Sequence, residues 1–316
     1  MISLVVVVGP TAVGKSEVAV ELALRLNGEI ISADSIQVYK YFKIGAAKLS
    51  PEEQKGVPHH LFDFLEPDQD FSVAQFQRLA RAKIEEIHKR GKLPFLVGGT
   101  GLYIQAVIDP YEFPDTGDVT KIRGELWKMV EAGKGGELYK KLRKVDPVTA
   151  ARLHPNDYRR ITRALEVYYL TGKPISSFQK VSQKGSQLYK LAMVGLIRSR
   201  EELYQRIEAR VEKMFQQGLV EEVRNLLRMG YSPELKPFQA LGYKQVLGYL
   251  RGEYEFQTAI ELTKKATRNY AKRQLTWFKR DPRIQWFYLE GKQVRKETLE
   301  EIINYICRVI PVFEEY

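Results

Sequence analysis

Residues 2–26 read ISLVVVVGPTAVGKSEVAVELALRL, and the order of chemistry in that stretch decides the fold. Ile2 to Val8 is a β-branched run, continuously apolar from Leu4 to Val8, as a strand buried on both faces of a parallel sheet requires. From Lys15 to Leu26 the period changes: Val18, Ala19, Leu22, Ala23 and Leu26 fall on one helical face, and Asn27-Gly28 ends the helix. Between strand and helix stand Gly9, Pro10, Thr11, Ala12, Val13, Gly14, Lys15 and Ser16, a match to G-x-x-x-x-G-K-[ST]. Glycines there let backbone amides turn onto phosphate oxygens, and the helix N-terminus adds partial positive charge. Lys15 supplies a full charge, and the Ser16 hydroxyl is placed to ligate Mg²⁺.

Moving outward, Glu29–Ser32 reads as a second short strand ending at Ala33-Asp34, and His59–Phe64 as a weaker one. Phe71–Arg90 reads as a long amphipathic helix stopped by Gly91, and Leu93–Val97 as a buried strand closing in Gly98-Gly99-Thr100. Strands alternating with helices predict an α/β fold, a P-loop-containing parallel sheet core. From Phe113 to about Ser186 there are helices and turns but no strand pattern; Asn156 or Asp157 caps a helix through Leu170, ended by Gly172 and Pro174. Leu191–Ile197 returns to the sheet, and Arg200–Gln217 is helical with Leu203, Ile207, Val211 and Met214 on one face, followed by more helices. The expected organisation is a core of residues 1–112 and 187–316 with C-terminal helices, interrupted by a helical insertion domain at 113–186.

Composition narrows the function classes. The 316 residues are 44% hydrophobic and 28% charged, a soluble globular balance that excludes a collagen-like or disordered chain. Cys307 stands alone, which excludes a disulfide framework or a Cys-rich zinc site and is consistent with a reducing cytoplasm. The longest apolar run, Leu4–Val8, is strand-sized, so no membrane span is expected, and without a basic lead-in it is not expected to be a signal peptide. The formal charge is +11. Two segments carry it: residues 113–186 with 15 basic and 8 acidic residues, and residues 264–283 with 8 basic residues and Asp281. Each has a net charge of +7, so the remaining residues sum to −3. Two basic patches on a slightly acidic chain favour a nucleic-acid partner, and Tyr270, Trp277 and Phe278 interleave with the second in a pattern suited to base stacking.

A phosphate loop does not name its phosphate. An ordinary P-loop nucleotidase needs an acid after a later strand, but Leu93–Val97 runs into Gly98-Gly99-Thr100. The acid is Asp34, after the second strand, and since open α/β sheets bind ligands at the carboxyl ends of their strands, Asp34, Thr100 and the Gly9–Ser16 loop are expected to share one crevice. The adjacent His59 and His60 would face opposite ways in a strand, and with His88 and His154 they are read as structural or surface residues. Residue chemistry thus leaves open a group transfer to RNA or DNA and an NTP-driven process acting on nucleic acid.

The chain resembles the bacterial tRNA dimethylallyltransferases, also called tRNA isopentenyltransferases. The resemblance runs through GPTAVGKS at 9–16, ISADSIQVYK at 31–40, LVGGTGLY at 96–103, HPNDYRRITRALEVY at 154–168, QRIEARVEKM at 205–214, ALGYKQ at 240–245 and AKRQLTWF at 271–278, nearly the whole chain. It implies transfer of a dimethylallyl group from dimethylallyl diphosphate to the N6 amine of the adenosine 3′ to the anticodon, with release of diphosphate. It also implies a P-loop that holds the donor's diphosphate rather than ATP, and a channel in which donor and RNA meet from opposite ends. Asp34 would then be the general base, with Thr100 aiming the amine or a phosphate oxygen. Arg210, beside Arg206 on one helix face, is assigned to the diphosphate, and Ser35, Ile36 and Gln37 to the target base or its neighbours. Further RNA contacts are assigned to Arg123, Arg159, Arg160 and Arg163 in the insertion, where Arg159 and Arg163 are spaced to share a helix face, and to Lys272, Arg273 and Gln274 near the C-terminus. A cytoplasmic monomer using Mg²⁺ and acting on the tRNA anticodon stem-loop is expected. With one cysteine, the chain is expected to lack the C-terminal zinc finger of longer eukaryotic relatives. Two rivals are a P-loop kinase of a nucleoside or polynucleotide 5′-end, with Asp34 as base for a hydroxyl, and a non-enzymatic nucleotide-dependent RNA-binding protein.

Overall fold

The architecture is taken from a computed structural model, which describes residues 1–113, 119–178, 187–291 and 293–310. Six strands form one parallel sheet: β1 (Ser3–Val8), β2 (Gly28–Ser32), β3 (His59–His60), β4 (Leu93–Gly98), β5 (Lys190–Ile197) and β6 (Gln285–Tyr288), in the spatial order β3-β2-β4-β1-β5-β6. Alternation of side chains divides the central strand between two layers. Val5 and Val7 pack with the helix Lys15–Arg25 and with Leu299, Ile302 and Ile306 of the helix Lys296–Val309. Leu4, Val6 and Val8 pack on the other face with Phe76, Ala80, Ile84 and Ile87 of the helix Val73–Lys89. All five of these strand residues are 0% exposed, which is why the run reads as continuously apolar.

Two strand expectations change. His59–Phe64 contracts to the two residues of β3 at one edge, and His60 there bonds the buried Glu29 carboxylate (2.6 Å) beside Arg90, a structural role. At the other edge, β6 was not expected. Its four residues follow a turn at Asp281-Pro282-Arg283, only Phe287 among them is buried, and so no hydrophobic alternation marks it.

The chain divides into two compact units, Met1–Ile108 with Leu188–Tyr316, and Asp109–Gln187. The first boundary comes earlier than residue 112 because the helix Gly101–Ile108 closes the first segment, and the expected second boundary at Ser186 lies outside the described residues. Among its described residues the second unit is helical, with Leu126, Leu138, Leu142, Ile161 and Leu165 in a core of its own. The first unit carries a third cluster, in which Val38, Tyr39 and Phe42 pack on Phe215, Leu219, Phe238 and Tyr243. Among the described residues no helix is long and apolar enough to cross a membrane.

Parallel register places the site. Val8 stands opposite Gly98 and Ser32 opposite Val97, so the chain leaves β1, β2 and β4 at one edge of the sheet. The Ala33 amide donates to the Val97 carbonyl (2.7 Å) and the Thr100 amide to the Ala33 carbonyl (3.3 Å), which ties the loops after β2 and β4 together.

Candidate active site

The loop between β1 and the helix Lys15–Arg25 turns through left-handed backbone at Ala12 (φ 63°) and Gly14 (φ 110°). A turn of this kind faces amides inward and carbonyls outward, and the first-turn amides of the helix have no carbonyl within it to bond. Three outward carbonyls are each held by a cation: Pro10 by Lys15 Nζ (2.8 Å), Ala12 by Arg206 Nε (3.0 Å) and Val13 by Arg198 Nε (2.9 Å). From the long helix Phe256–Phe278, Gln274 reaches in: its Oε1 accepts from the Thr11 amide (2.8 Å) and its Nε2 donates to the Gly99 carbonyl (2.9 Å). Gly99 must be glycine for that approach, since a Cβ there would lie 2.1 Å from Gln274 Nε2.

These elements border a cavity of about 1660 Å³ lined by Thr11, Ala12, Gly14, Lys15 and Ser16 of the loop, by Asp34 and Gln37, by Arg206 and Arg210, and by Tyr270 and Gln274. Gly9, Pro10 and Val13 form the back of the loop and are buried. Asp34 Oδ1 accepts from the amides of Ile36 (2.9 Å) and Gln37 (3.3 Å), which fixes the carboxylate at the head of a turn, and Thr100 Oγ1 accepts from the Ser35 amide (3.3 Å) beside it. Burial first, and then the charge of Arg210, pull the Lys15 ammonium down to about 7, with Asp34 opposing them. Burial likewise lowers the Arg210 guanidinium, which Asp34 holds up and Arg206 presses down. Burial and the Asp34 charge push the Tyr270 phenol up to about 12, against hydrogen bonds shared with Thr100 and Gln274. Where the loop meets Asp34, the cavity wall brings Lys15, Arg206 and Arg210 together, a local cluster of cations suited to a polyanion, while Lys43, Lys48, Lys213, Glu17, Glu53, Asp63 and Glu202 line the rest of it.

Four RNA assignments change. Gln274 is 5% exposed and both ends of its amide are taken by backbone, so it braces the phosphate loop against the loop after β4. The Gln37 amide is likewise engaged, accepting from Ser32 Oγ (2.9 Å) and donating to the carbonyls of Ala46 (3.2 Å) and Ala47 (3.4 Å). In the other unit, Arg123 forms a bidentate pair with Glu166 (2.8 and 3.0 Å), which is 2% exposed, and Arg163 bonds the same carboxylate (3.2 Å). A buried carboxylate needs such partners: Arg123 ties the helix Thr120–Glu131 to the helix Tyr158–Thr171, and Arg163 meets Glu166 within the latter helix. Arg159 and Arg160 are exposed, the latter beside Asp157 (3.3 Å). Ser35 and Ile36 are half-buried, and Lys272 and Arg273 are exposed on the long helix, Arg273 lying over the Tyr270 ring (5.8 Å).

The second basic patch also shrinks. Lys264 is buried against Glu212 (2.8 Å) and Glu261 (2.9 Å), Arg268 pairs with Glu208 (2.7 Å) and Arg283 with Asp281 (2.7 Å). Of the interleaved aromatics, Phe278 is core, Trp277 packs on Gly101, and Tyr270 lines the cavity. Arg198 was not foreseen. Its only sequence signal is an arginine directly after a buried strand, which by itself reads as a surface charge at a strand end.

The family described as IPP transferase matches residues 37–281, and that described as isopentenyl transferase matches residues 2–63. The chain belongs to the tRNA dimethylallyltransferase (IPP transferase) family. The tRNA dimethylallyltransferase of Carboxydothermus hydrogenoformans is 52% identical over 301 residues, 95% of this chain and 96% of that protein. Among solved structures, the full-length tRNA isopentenylpyrophosphate transferase of Bacillus halodurans is 45% identical with a TM-score of 0.74, covering 98% of this chain and 97% of that one. A eukaryotic dimethylallyltransferase captured acting on tRNA is 32% identical with a TM-score of 0.76, covering 91% of this chain and 74% of that one. The family's parallel α/β architecture is the one found here.

Proposed function

We propose that this enzyme transfers a dimethylallyl group from dimethylallyl diphosphate to the N6 amine of the adenosine 3′ to the anticodon of tRNA. The observation that carries the reading is one cavity in which the phosphate loop, Lys15 and Arg210 flank the Asp34 carboxylate. An allylic diphosphate ionises readily, so the enzyme's main task is to receive the leaving group, and inward amides with two cations are suited to charge developing there. As N6 attacks the allylic C1, the N6–C1 bond forms and the C1–O bond breaks. Its electron pair leaves on the diphosphate, and the N6 proton passes to Asp34. Thr100 and Tyr270 stand beside the carboxylate and orient the amine. The target base has to leave its stack to bring its amine to the Asp34 carboxylate.

Mg²⁺ is part of the proposal. Among the described residues no group of three or more His, Cys, Asp or Glu could hold a metal, but Mg²⁺ on a diphosphate takes few protein ligands, and the Ser16 hydroxyl on the cavity wall fits that need. When bound, the ion would supply charge neutralisation to the leaving diphosphate. The accompanying assignment is a monomer acting on the anticodon stem-loop in the cytoplasm.

Incubation of the enzyme with unmodified tRNA and labelled dimethylallyl diphosphate should place label in an N6-modified adenosine identified by mass spectrometry of the digest. Label entering RNA from ATP alone would replace the reading with a kinase. Converting Arg159 and Arg160 to alanine should weaken tRNA binding and reduce the magnitude of the slope of log K against log salt by about 1–2. Arg123→Ala should instead lower Tm by removing the bidentate partner of Glu166 and leaving it Arg163 alone. An unchanged salt slope in the Arg159/Arg160 double variant would assign those two residues to solvated surface.

A further inference from the structure

Arg198 follows β5, and its side chain is fully enclosed, at 0% exposure. Nε donates to the Val13 carbonyl (2.9 Å), and Nη1 donates to the Gly291 carbonyl (2.7 Å) and to the Glu202 carboxylate. Nη2 is buried and has no partner among the described residues, and it lies 3.9 Å from the place a Cβ on Gly14 would occupy. Stability does not account for this arrangement. A buried guanidinium opposite one partly exposed carboxylate gains little over an apolar side chain of the same length, and the stranded donor adds a penalty.

The contact with Val13 gives the reason. An inward-facing row of amides is kept only if the outward carbonyls between Ala12 and Gly14 stay satisfied. Lys15 has to release Pro10 when it turns to a phosphate, whereas Arg198 can hold Val13 throughout, since it approaches from behind the loop. The unpaired Nη2 also puts positive charge close to Gly14.

We propose that Arg198 is a positioning residue that holds the Ala12–Gly14 turn in its anion-binding conformation and ties it to the segment Leu289–Gly291 after β6. The proposal rests on the diphosphate reading of the loop. It predicts that Arg198→Met and Arg198→Gln in the full-length enzyme still fold, with a Tm lowered by loss of the bonds to Val13, Gly291 and Glu202. In both variants the Kd for inorganic pyrophosphate with Mg²⁺ and the KM for dimethylallyl diphosphate should rise about tenfold, with the KM for tRNA unchanged. A purely structural role would move Tm and leave pyrophosphate binding alone. Pyrophosphate affinity within twofold of the parent in either folded variant overturns the proposal, and so does failure of both to fold, which would make Arg198 a stability residue. If the parent itself does not bind pyrophosphate, the diphosphate reading falls, and this proposal with it.

Discussion

Replacing Asp34 with asparagine is expected to lower turnover by about 10²–10⁴-fold while tRNA affinity stays within about twofold. Asparagine keeps an oxygen able to accept from the Ile36 and Gln37 amides, so the turn after β2 should survive and only proton acceptance should be lost. Alanine would remove both, and its larger disturbance would not separate base from scaffold. Single-turnover rates with saturating donor and tRNA, alongside a direct tRNA binding measurement, make the distinction. A variant within tenfold of the parent would take the general-base role from Asp34. Parallel losses of rate and tRNA affinity would mark it as an RNA-positioning group.

Lys15→Met should cost about 10²–10³ in turnover, the scale of removing one donor from a site where charge develops, and should raise the KM for dimethylallyl diphosphate. Methionine keeps the length of the side chain while removing its charge and its bond to Pro10. The depressed Lys15 adds a pH signature. With a value of about 7 in the free enzyme, the ammonium loses its proton progressively above pH 7, and a bound diphosphate should restore it. Binding near pH 8 should therefore take up a proton at this side chain, and pyrophosphate affinity should fall more steeply above pH 7 in the parent than in the methionine variant. Below pH 7 Lys15 is already charged, and the two pH profiles should run parallel. Calorimetry in buffers of different ionisation enthalpy measures the uptake; equal uptake by parent and variant would show that Lys15 enters the bound complex without changing its protonation.

The legible parts of this protein share a property: their meaning is local. The strand, the loop and the helix from Ser3 to Arg25 follow from period and from glycine placement within a few turns of chain. Asp34 was found because it sits at a strand end, and parallel pairing carries all such ends to one edge. The basic patches were visible as counts, but a count does not show which charges are already spent. Lys264 and Arg268 face Glu212 and Glu208 on another helix, and Arg123 faces Glu166 across 43 residues of sequence. Gln274 looked like an RNA contact because its neighbours are Lys272 and Arg273, yet one step along the helix turns its side chain from solvent to core.

Sequence alone determined the α/β core, the glycine-rich loop after β1, the carboxylate beside it and, through motifs spread over the chain, the resemblance to a family. Each of those is carried by residues adjacent in sequence or by their order. The tertiary structure alone decided which polar side chains are free to meet a substrate and which are consumed in holding the site. Thr11 and Gln274 stand 263 residues apart, and Val13 and Arg198 stand 185 apart. Hydrogen bonds of that reach exist only after the sheet and the helices behind it have packed, because burial then forces each enclosed amide, carbonyl and charge to find a partner in whatever part of the chain lies beside it.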